Sequence, residues 1–114
     1  MTTDNFRKMA LAYPQAVESA HMNHPDFRID GKIFATLGHP GENWGMVKLT
    51  PEQQRSFERD FPGVFHPCSG LWGRRGATQV CLPSASKNVV QAALDCALQN
   101  VKDKAKKKNG SKSR

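Results

Sequence analysis

Residues 24–37, HPDFRIDGKIFATL, decide the fold, because two strand-like runs meet at Asp30-Gly31. Asp-Gly between such runs is a strong hairpin signal, since both residues of a two-residue turn adopt positive φ. This turn pairs Phe27 with Phe34 and places Ile29 on the same face as both rings. Aromatic pairs across neighbouring strands stabilise a sheet. The stretch therefore predicts a β-hairpin with one apolar face and a well-fixed register.

Apolar residues at helical spacing predict three amphipathic helices in the rest of the chain. Thr3 or Asp4 is the expected N-cap of the first helix, and Thr50 is the expected N-cap of the second. The third helix is expected to open at Ser84 or Ser86. These helices cover residues 4–13, residues 51–61 and the stretch that ends near residue 101.

The remaining pattern completes an α+β domain. We predict further strands over residues 16–22, 44–49 and 79–82. The glycine-rich stretch 69–78 is predicted to be a flexible loop that carries Arg74 and Arg75. The strands follow one another in antiparallel runs without β–α–β crossovers. We therefore expect an antiparallel β-sheet with helices packed on one face, formed by a single domain over residues 1–101.

The net charge of +7 is concentrated at the end of the chain. Residues 102–114 hold seven basic residues and one acidic residue, whereas residues 1–101 hold ten basic and nine acidic residues. A basic segment without apolar anchors is disordered in isolation and attracts polyanions, so we expect a disordered, polyanion-binding tail. A solubilising extension is the alternative. The candidate binding lysines of this tail are Lys104, Lys106, Lys107 and Lys108.

Several classes of function are not indicated by the sequence. No run of about 18 apolar residues predicts a membrane span, and the N-terminus lacks the pattern of a secretory signal. Cys68, Cys81 and Cys96 form no CxxC pair, which favours reduced cysteines in a cytoplasmic protein. His21 and His24 lie in an extended segment without a second ligand pair, so neither a metal nor a cofactor is expected. No nucleotide-binding fingerprint or nucleophile–base set is present, and we expect no enzyme activity.

An ordered set of motifs spans most of the chain. It consists of Pro25-x-Phe27-Arg28-x-x-Gly31-Lys32-x-Phe34-Ala35, Val47-Lys48-Leu49, Thr50-Pro51-Glu52, Asp60-Phe61-Pro62-Gly63, and Gly73 with Gly76. With these motifs the chain resembles the MmcQ/YjbR family over residues 5 to about 101. The resemblance implies a double-wing fold with β-hairpin wings, and DNA as the partner. Two departures are Met22 and Ala77, which stand where similar sequences often have Trp.

The residues with the chemistry to bind DNA are basic or aromatic. They are Trp72, Arg74 and Arg75 in the glycine-rich loop, and Arg28, Lys32 and Lys48 on or beside neighbouring strands. Arginines in an exposed loop can reach phosphates, and an exposed tryptophan can stack on bases. A solvated loop with its tryptophan in the core is the alternative there. For the strand residues the alternative is ion pairing with Asp26, Asp30 or Glu52, because Arg28 and Lys32 fall on opposite faces of the hairpin.

Two functions therefore remain open. The first is a monomeric, non-enzymatic DNA-binding protein, in which wings position the body and the lysine-rich tail adds sequence-independent attraction. The second is a protein-interaction or small-ligand module that uses the concave face of the sheet. The near-neutral body favours the second function, because DNA-binding domains concentrate positive charge on their folded surface.

Overall fold

The computed structural model describes the backbone of residues 1–112 and the side chains of residues 1–103. Its elements are α1 (Thr3–Leu11), β1 (Val17–His21), β2 (His24–Ile29), β3 (Lys32–Leu37), β4 (Trp44–Lys48), α2 (Pro51–Asp60), β5 (Phe65–Pro67), α3 (Gly70–Arg74), β6 (Ala77–Cys81), a 3-10 turn (Leu82–Ser84) and α4 (Lys87–Lys112). Within this part of the chain the six strands form one sheet in the order β1-β2-β3-β4-β6-β5. Every neighbouring pair is antiparallel. The predicted α+β class is confirmed.

Helix α4 passes the position after residue 101 at which the sequence predicts the domain to end. The side chains of residues 104–114 are outside the described part of the structure. The roles of the tail lysines therefore fall outside the described side chains, and both these roles and the predicted disorder of the tail in isolation stay predictions. Those lysines are Lys104, Lys106, Lys107 and Lys108.

The turn between β2 and β3 forms as the sequence predicts. Asp30 has φ 52° and Gly31 has φ 76°, so both turn residues are left-handed. The two pairs beside the turn, Ile29 with Lys32 and Arg28 with Ile33, match the predicted register. This places Arg28 and Lys32 on opposite faces of the hairpin, as expected.

The predicted pairing of Phe27 with Phe34 is wrong. Phe27 pairs with Ala35, because the register shifts by one residue and Phe34 becomes the extra residue of a β-bulge. The bulge lets Phe34 and Ala35 both contact the core, where they and Phe27 are fully buried. The shared apolar face is therefore present, although the two rings are not directly opposite each other.

The core lies between one face of the sheet and helices α1 and α4. Phe6 of α1 packs on Phe27, with ring centroids 6.2 Å apart. A Cβ at Gly45 of β4 would lie 3.2 Å from the Phe6 ring, so glycine makes room for this aromatic contact. Leu94 and Ala97 of α4 are fully buried in the same cluster. Because α1 and α4 pack on this face, they do not cover the second face of the sheet.

Polar contacts fix the helices on the sheet. The Tyr13 hydroxyl donates to Asp95 of α4 and accepts from Gln91, and burial together with Asp95 raises the pKa of the phenol. Asn100 of α4 donates to the backbone carbonyl of Lys48 at 3.1 Å and to Gln53 of α2 at 2.7 Å. Helix α4 is thereby joined to the segment that follows α1, to β4 and to α2.

The predicted N-cap is correct for α2 and wrong for α1. Thr50 caps α2 through a capping box with Gln53, as predicted. Helix α1 begins at Thr3, so its N-cap is Thr2 rather than Thr3 or Asp4. Thr2 forms a capping box with Asn5, and the amide of Asn5 replaces the usual Glu or Gln side chain at this position.

The prediction of a flexible loop over residues 69–78 is wrong. The segment contains the helix α3 and the start of β6. A Cβ at Gly73 would lie 1.7 Å from the Cys68 carbonyl oxygen, and a Cβ at Gly76 would lie 1.9 Å from the Leu49 carbonyl oxygen. The buried amide of Gln54 also donates to the carbonyl oxygens of Gly73 (3.0 Å) and Ala77 (3.1 Å). The glycines therefore permit close backbone packing that holds α3 in place.

We predict that Gly73→Ala destabilises the protein by about 4 kcal/mol or more, because the added methyl collides with backbone atoms that cannot rotate away. Gly70→Ala is the matched control on the same helix. Gly70 has φ +71° with nothing within 4 Å of its Cβ position, so only left-handed strain of about 1–2 kcal/mol applies. Urea unfolding measures both changes, and equal losses for the two variants would contradict the close packing at Gly73.

Candidate binding groove

The second face of the sheet carries a cross-strand row of side chains. Successive residues of a strand point to opposite faces, so the partners of the core residues line this open face. The row runs through Asp26 of β2, Thr36 of β3, Met46 of β4, Gln79 of β6 and His66 of β5, which are successive register partners. The middle of the row is the floor of a concave site.

This site is a groove of about 460 Å³, with Thr36, Met46 and Gln79 in its floor. Trp72 of α3 lies in one wall, and Met22 of the β1–β2 turn lies at the other side, towards the opposite edge of the sheet. Small-ligand sites in proteins have volumes of about 300–1,000 Å³ and mostly apolar linings with a few polar groups. The groove has the size and the composition of such a site.

Two large apolar side chains are exposed at the rim of the groove. Trp72 is 64% exposed and Met22 is 86% exposed. Met22 has φ 50° and Asn23 has φ 67°, so this turn holds a large apolar residue in the left-handed backbone region that favours Asn or Gly. The Nζ of Lys48 lies 5.4 Å from the Trp72 ring centroid, within cation–π range. The rim thus combines apolar surface with a positive charge.

A buried carboxylate organises the side of the groove near β1. Asp26 accepts hydrogen bonds from Arg28 Nε (2.8 Å) and Nη2 (3.1 Å) and contacts His21 Nδ1 at 2.7 Å. The Asp26 side chain is fully buried, and the hydrogen bond from Arg28 followed by that from His21 lowers its pKa. Asp26 in turn raises the pKa of Arg28. For Arg28 the structure therefore shows the ion-pair alternative, with both partners fixed beside the groove.

Polar side chains inside the groove have unused hydrogen-bonding capacity. Within residues 1–103, the side chains of Thr36, Ser69 and Gln79 form no hydrogen bond with another protein group. Ser69 is exposed, and no buried side-chain N or O atom in this region lacks a partner, so the polar atoms of these three lining residues are accessible to solvent. A ligand in the groove can therefore exchange water for protein hydrogen bonds at its floor and wall.

The charge around the groove is positive or neutral. No carboxylate lines it within the described side chains, whereas Lys48 and the imidazoles of three histidines do. Arg74 and Arg75 follow Trp72 at the end of α3, are exposed, and form no ion pair with any residue of 1–103. Lys32 pairs with Ile29 and belongs to the opposite face of the hairpin. The structure thus brings Trp72 and Lys48 together, with the two arginines next to Trp72 in the chain, and separates Lys32 from them.

Other sequence candidates have different surroundings. Among the described residues, no group of three or more His, Cys, Asp or Glu side chains is arranged to hold a metal ion. His21 is engaged by Asp26, and His24 forms an edge contact with His39 at 5.6 Å. Cys68 lines the groove, but burial raises the pKa of its thiol, which is the reverse of what an activated nucleophile requires.

Sequence reasoning missed the floor of the groove. The signal that could have found it is the strict alternation of β4, in which Gly45 and Val47 are buried while Trp44, Met46 and Lys48 are partly exposed. The wall formed by α3 had no such signal, because it depends on glycine contacts distant in the sequence.

Comparison with known proteins gives a family and a fold. A family model described as YjbR matches residues 11–99, which is more than half of the chain. Among solved structures, the chain is similar to Deinococcus radiodurans protein DR2400, family-model domain DUF419, with a TM-score of 0.77 and 16% sequence identity. The similarity covers 91% of this chain and 80% of that chain, and at this identity it shows the fold alone. No curated protein matches the chain. Within the described residues, no helix combines the length and apolar character needed to cross a membrane.

We predict that Asp26→Asn destabilises the protein by about 1–3 kcal/mol at pH 7, because hydrogen bonds from a carboxylate to charged groups are lost. The depressed pKa of Asp26 gives stability that is present above the unfolded value of about 4 and is lost as the pH falls through the folded value. Carboxylates titrate roughly between pH 5 and pH 2. Over this interval the free energy of unfolding of the variant should therefore fall less than that of the wild type.

Urea unfolding as a function of pH measures both effects. Asp30→Asn is the matched control, since it removes one exposed carboxylate from the turn and keeps a residue type that tolerates positive φ. Its stability at pH 7 should change by less than about 0.5 kcal/mol. An unchanged acid-side slope in the Asp26 variant would contradict the assigned role of the carboxylate.

Proposed function

The chain belongs to the YjbR family, and on this premise we propose that it is a DNA-binding protein that carries out no catalysis. The observation that carries the proposal is the arrangement on α3. Trp72 is exposed and lines a groove without a lining carboxylate among the described side chains, and the exposed Arg74 and Arg75 follow it at the end of the same helix. Guanidinium groups bind phosphate oxygens with charge-assisted, often bidentate hydrogen bonds.

The near-neutral body does not oppose this proposal, because three of its nine acidic groups are engaged away from the groove lining. Glu18 pairs with Arg7 of α1 at 3.0 Å, and Asp95 accepts from Tyr13 on the helix side of the sheet. Asp26 is buried under its own ion pair. The lining of the groove itself holds Lys48 and no carboxylate among the described side chains, which the total for residues 1–101 conceals. Contacts to phosphates position a protein on DNA without reading its sequence.

The proposal also includes the tail and the setting of the protein. Positive residues after 103 would add sequence-independent attraction whose strength falls steeply with salt. We propose a monomer in the cytoplasm, in agreement with three cysteines that are free in the structure. The double-wing role of the hairpins is part of this proposal, with the correction that the arginine pair lies on α3 and not on a hairpin.

A small-ligand or protein-interaction module is the second candidate function. The groove favours it, because its lining is mostly apolar and three of its polar side chains are without hydrogen-bond partners among residues 1–103. An intact chain that fails to bind any DNA at low salt would favour this candidate over the first.

We predict that Arg74→Ala/Arg75→Ala weakens binding to a mixed-sequence duplex at every salt concentration below the physiological one. The slope of log affinity against log salt should fall by about 2, since two phosphate contacts are lost. Fluorescence anisotropy with a labelled duplex over a salt series measures this slope.

Arg55→Ala/Lys87→Ala is the control for this experiment. Both residues are exposed, and the two substitutions also remove two positive charges, but the residues lie on α2 and α4. The control should leave the slope within about 0.5 of the wild-type value. Equal effects of the two double variants would show that only the total charge matters, and would remove the support that α3 gives to the proposal.

We predict that replacing the four tail lysines by Gln lowers the same slope by about 3–4, because each lysine neutralises about one phosphate. The four residues are Lys104, Lys106, Lys107 and Lys108. Replacing the same four by Arg is the charge-preserving control and should keep the slope. A Gln variant that binds as the wild type does would leave the tail with the solubilising role.

A further inference from the structure

We propose that the groove binds one unpaired nucleotide unit, with its base against Trp72 and its phosphate beside Lys48 and the α3 arginines. This inference rests on the proposed DNA-binding function and makes it more specific. It implies that the protein prefers nucleic acid with unpaired bases over a perfect duplex, in which base faces are covered by their neighbours.

The size of the groove suits a single base and its sugar. Its volume of about 460 Å³ lies in the range of small-ligand sites. Proteins that engage the face of a base take it from a single strand or extrude it from the stack into such a pocket. A groove of this volume excludes a stack of paired bases, and so selects for a base that is already unpaired.

Trp72 provides the surface on which a base can stack. Its ring is 64% exposed, which is unusual for the largest apolar side chain, and it belongs to the wall of the groove. The α3 helix that carries it is held by the close backbone contact at Gly73 and by the amide of Gln54. The ring is thus presented from a fixed element, so little order needs to be gained on binding.

The floor offers hydrogen bonds to the edge of a base. Thr36 and Gln79 face the groove from β3 and β6, and Ser69 faces it from the start of α3, each without a hydrogen-bond partner among residues 1–103. A Gln amide has both donors and an acceptor, and a hydroxyl group can act as either. These groups match the mixed donors and acceptors of base edges, whereas a purely apolar ligand would leave them unsatisfied.

Charge complementarity favours an anionic ligand over a neutral or cationic one. No carboxylate lines the groove among the described side chains, and the Nζ of Lys48 lies 5.4 Å from the Trp72 ring centroid. A phosphate attached to a base at Trp72 therefore comes close to this ammonium group. Arg74 and Arg75 continue the positive surface in the direction of α3, where the neighbouring phosphates of a strand would lie.

Met22 completes the site at the other side. It is 86% exposed and is held by a left-handed turn, two features that burial in the core does not explain. Apolar side chains presented in this way mark contact surfaces. In the groove, Met22 can cover the second side of a base or its sugar once the ligand is bound.

The test compares a labelled 12-nucleotide oligo-dT with a blunt duplex of the same length, about one turn of DNA, by fluorescence anisotropy on the full-length chain. We expect the wild type to favour the single strand. Trp72→Ala should lower its affinity for the single strand about 10-fold, in line with the loss of one base stack, and change duplex affinity less than about 2-fold. Trp72→Phe should restore most of the single-strand affinity.

Two further variants separate stacking from folding. Leu71→Ala is the matched control, because Leu71 is 58% exposed on the same helix but does not line the groove, and both affinities should stay unchanged. Thr36→Val keeps the shape of the side chain and removes its hydroxyl, so it should weaken single-strand binding while the thermal midpoint is preserved. Thermal unfolding of every variant checks that the fold is intact.

Free thymidine monophosphate distinguishes a nucleotide on a strand from a nucleotide in solution. In a Trp44→Phe background Trp72 is the reporting indole, and we expect the monophosphate to quench its fluorescence and to compete with the oligonucleotide. Quenching without any DNA binding would support the groove with a free nucleotide as ligand and would overturn the DNA proposal.

The remaining outcomes are equally decisive. DNA binding that is insensitive to Trp72→Ala, or reduced equally for single strand and duplex, would overturn the nucleotide groove and leave the DNA proposal intact. The absence of both DNA binding and quenching would overturn both.

Discussion

The close approach of two glycines to neighbouring carbonyl oxygens is the constraint on which the open face of this protein depends. Gly73 lies against the Cys68 carbonyl and Gly76 against the Leu49 carbonyl, at distances that leave no space for a Cβ. Gln54 adds hydrogen bonds from α2 to the same segment. A helix of only five residues is too short to be stable by itself. These contacts therefore make α3 a wall, and without this wall the second face of the sheet would be a shallow surface.

The fold follows from the sequence wherever a local rule acts alone. Asp30-Gly31 gives the turn, the period of the apolar residues gives the helices, and Thr50 gives the start of α2. Local rules failed where a long-range contact decides between alternatives. A two-residue turn predicts direct pairing of the two phenylalanines, but packing of Phe34 and Ala35 together against the helices requires one extra residue in β3. The bulge forms because of packing in the core, and the helices that complete this core lie outside the hairpin sequence.

The candidate site was predictable only in part, for the same reason. Composition singled out Trp72 and the arginine pair, and alternation placed Arg28 and Lys32 on different faces of the hairpin. Glycine-rich composition, however, is typical of both mobile loops and tightly packed backbone, and only the positions of carbonyl groups distant in the chain distinguish the two. The groove itself combines residues from the β1–β2 turn, five strands and α3. Its polar floor could not be derived before the strand order was known.

The total counts of basic and acidic residues do not describe the charge around the groove. Residues 1–101 carry ten basic and nine acidic groups, a balance that suggests no anion-binding face. The fold places two of these acidic groups in ion pairs outside the groove lining: Glu18 pairs with Arg7 on the helix side, and Asp26 is buried under Arg28 and His21. Arg74 and Arg75 form no ion pair with a residue of 1–103, and no carboxylate lines the groove in this range. An anion at the groove thus meets positive charge at short range, where screening by salt is weakest, although the body as a whole is almost neutral. In the proposed function, attraction at long range is left to the terminal lysines, and selectivity for the ligand is assigned to the groove.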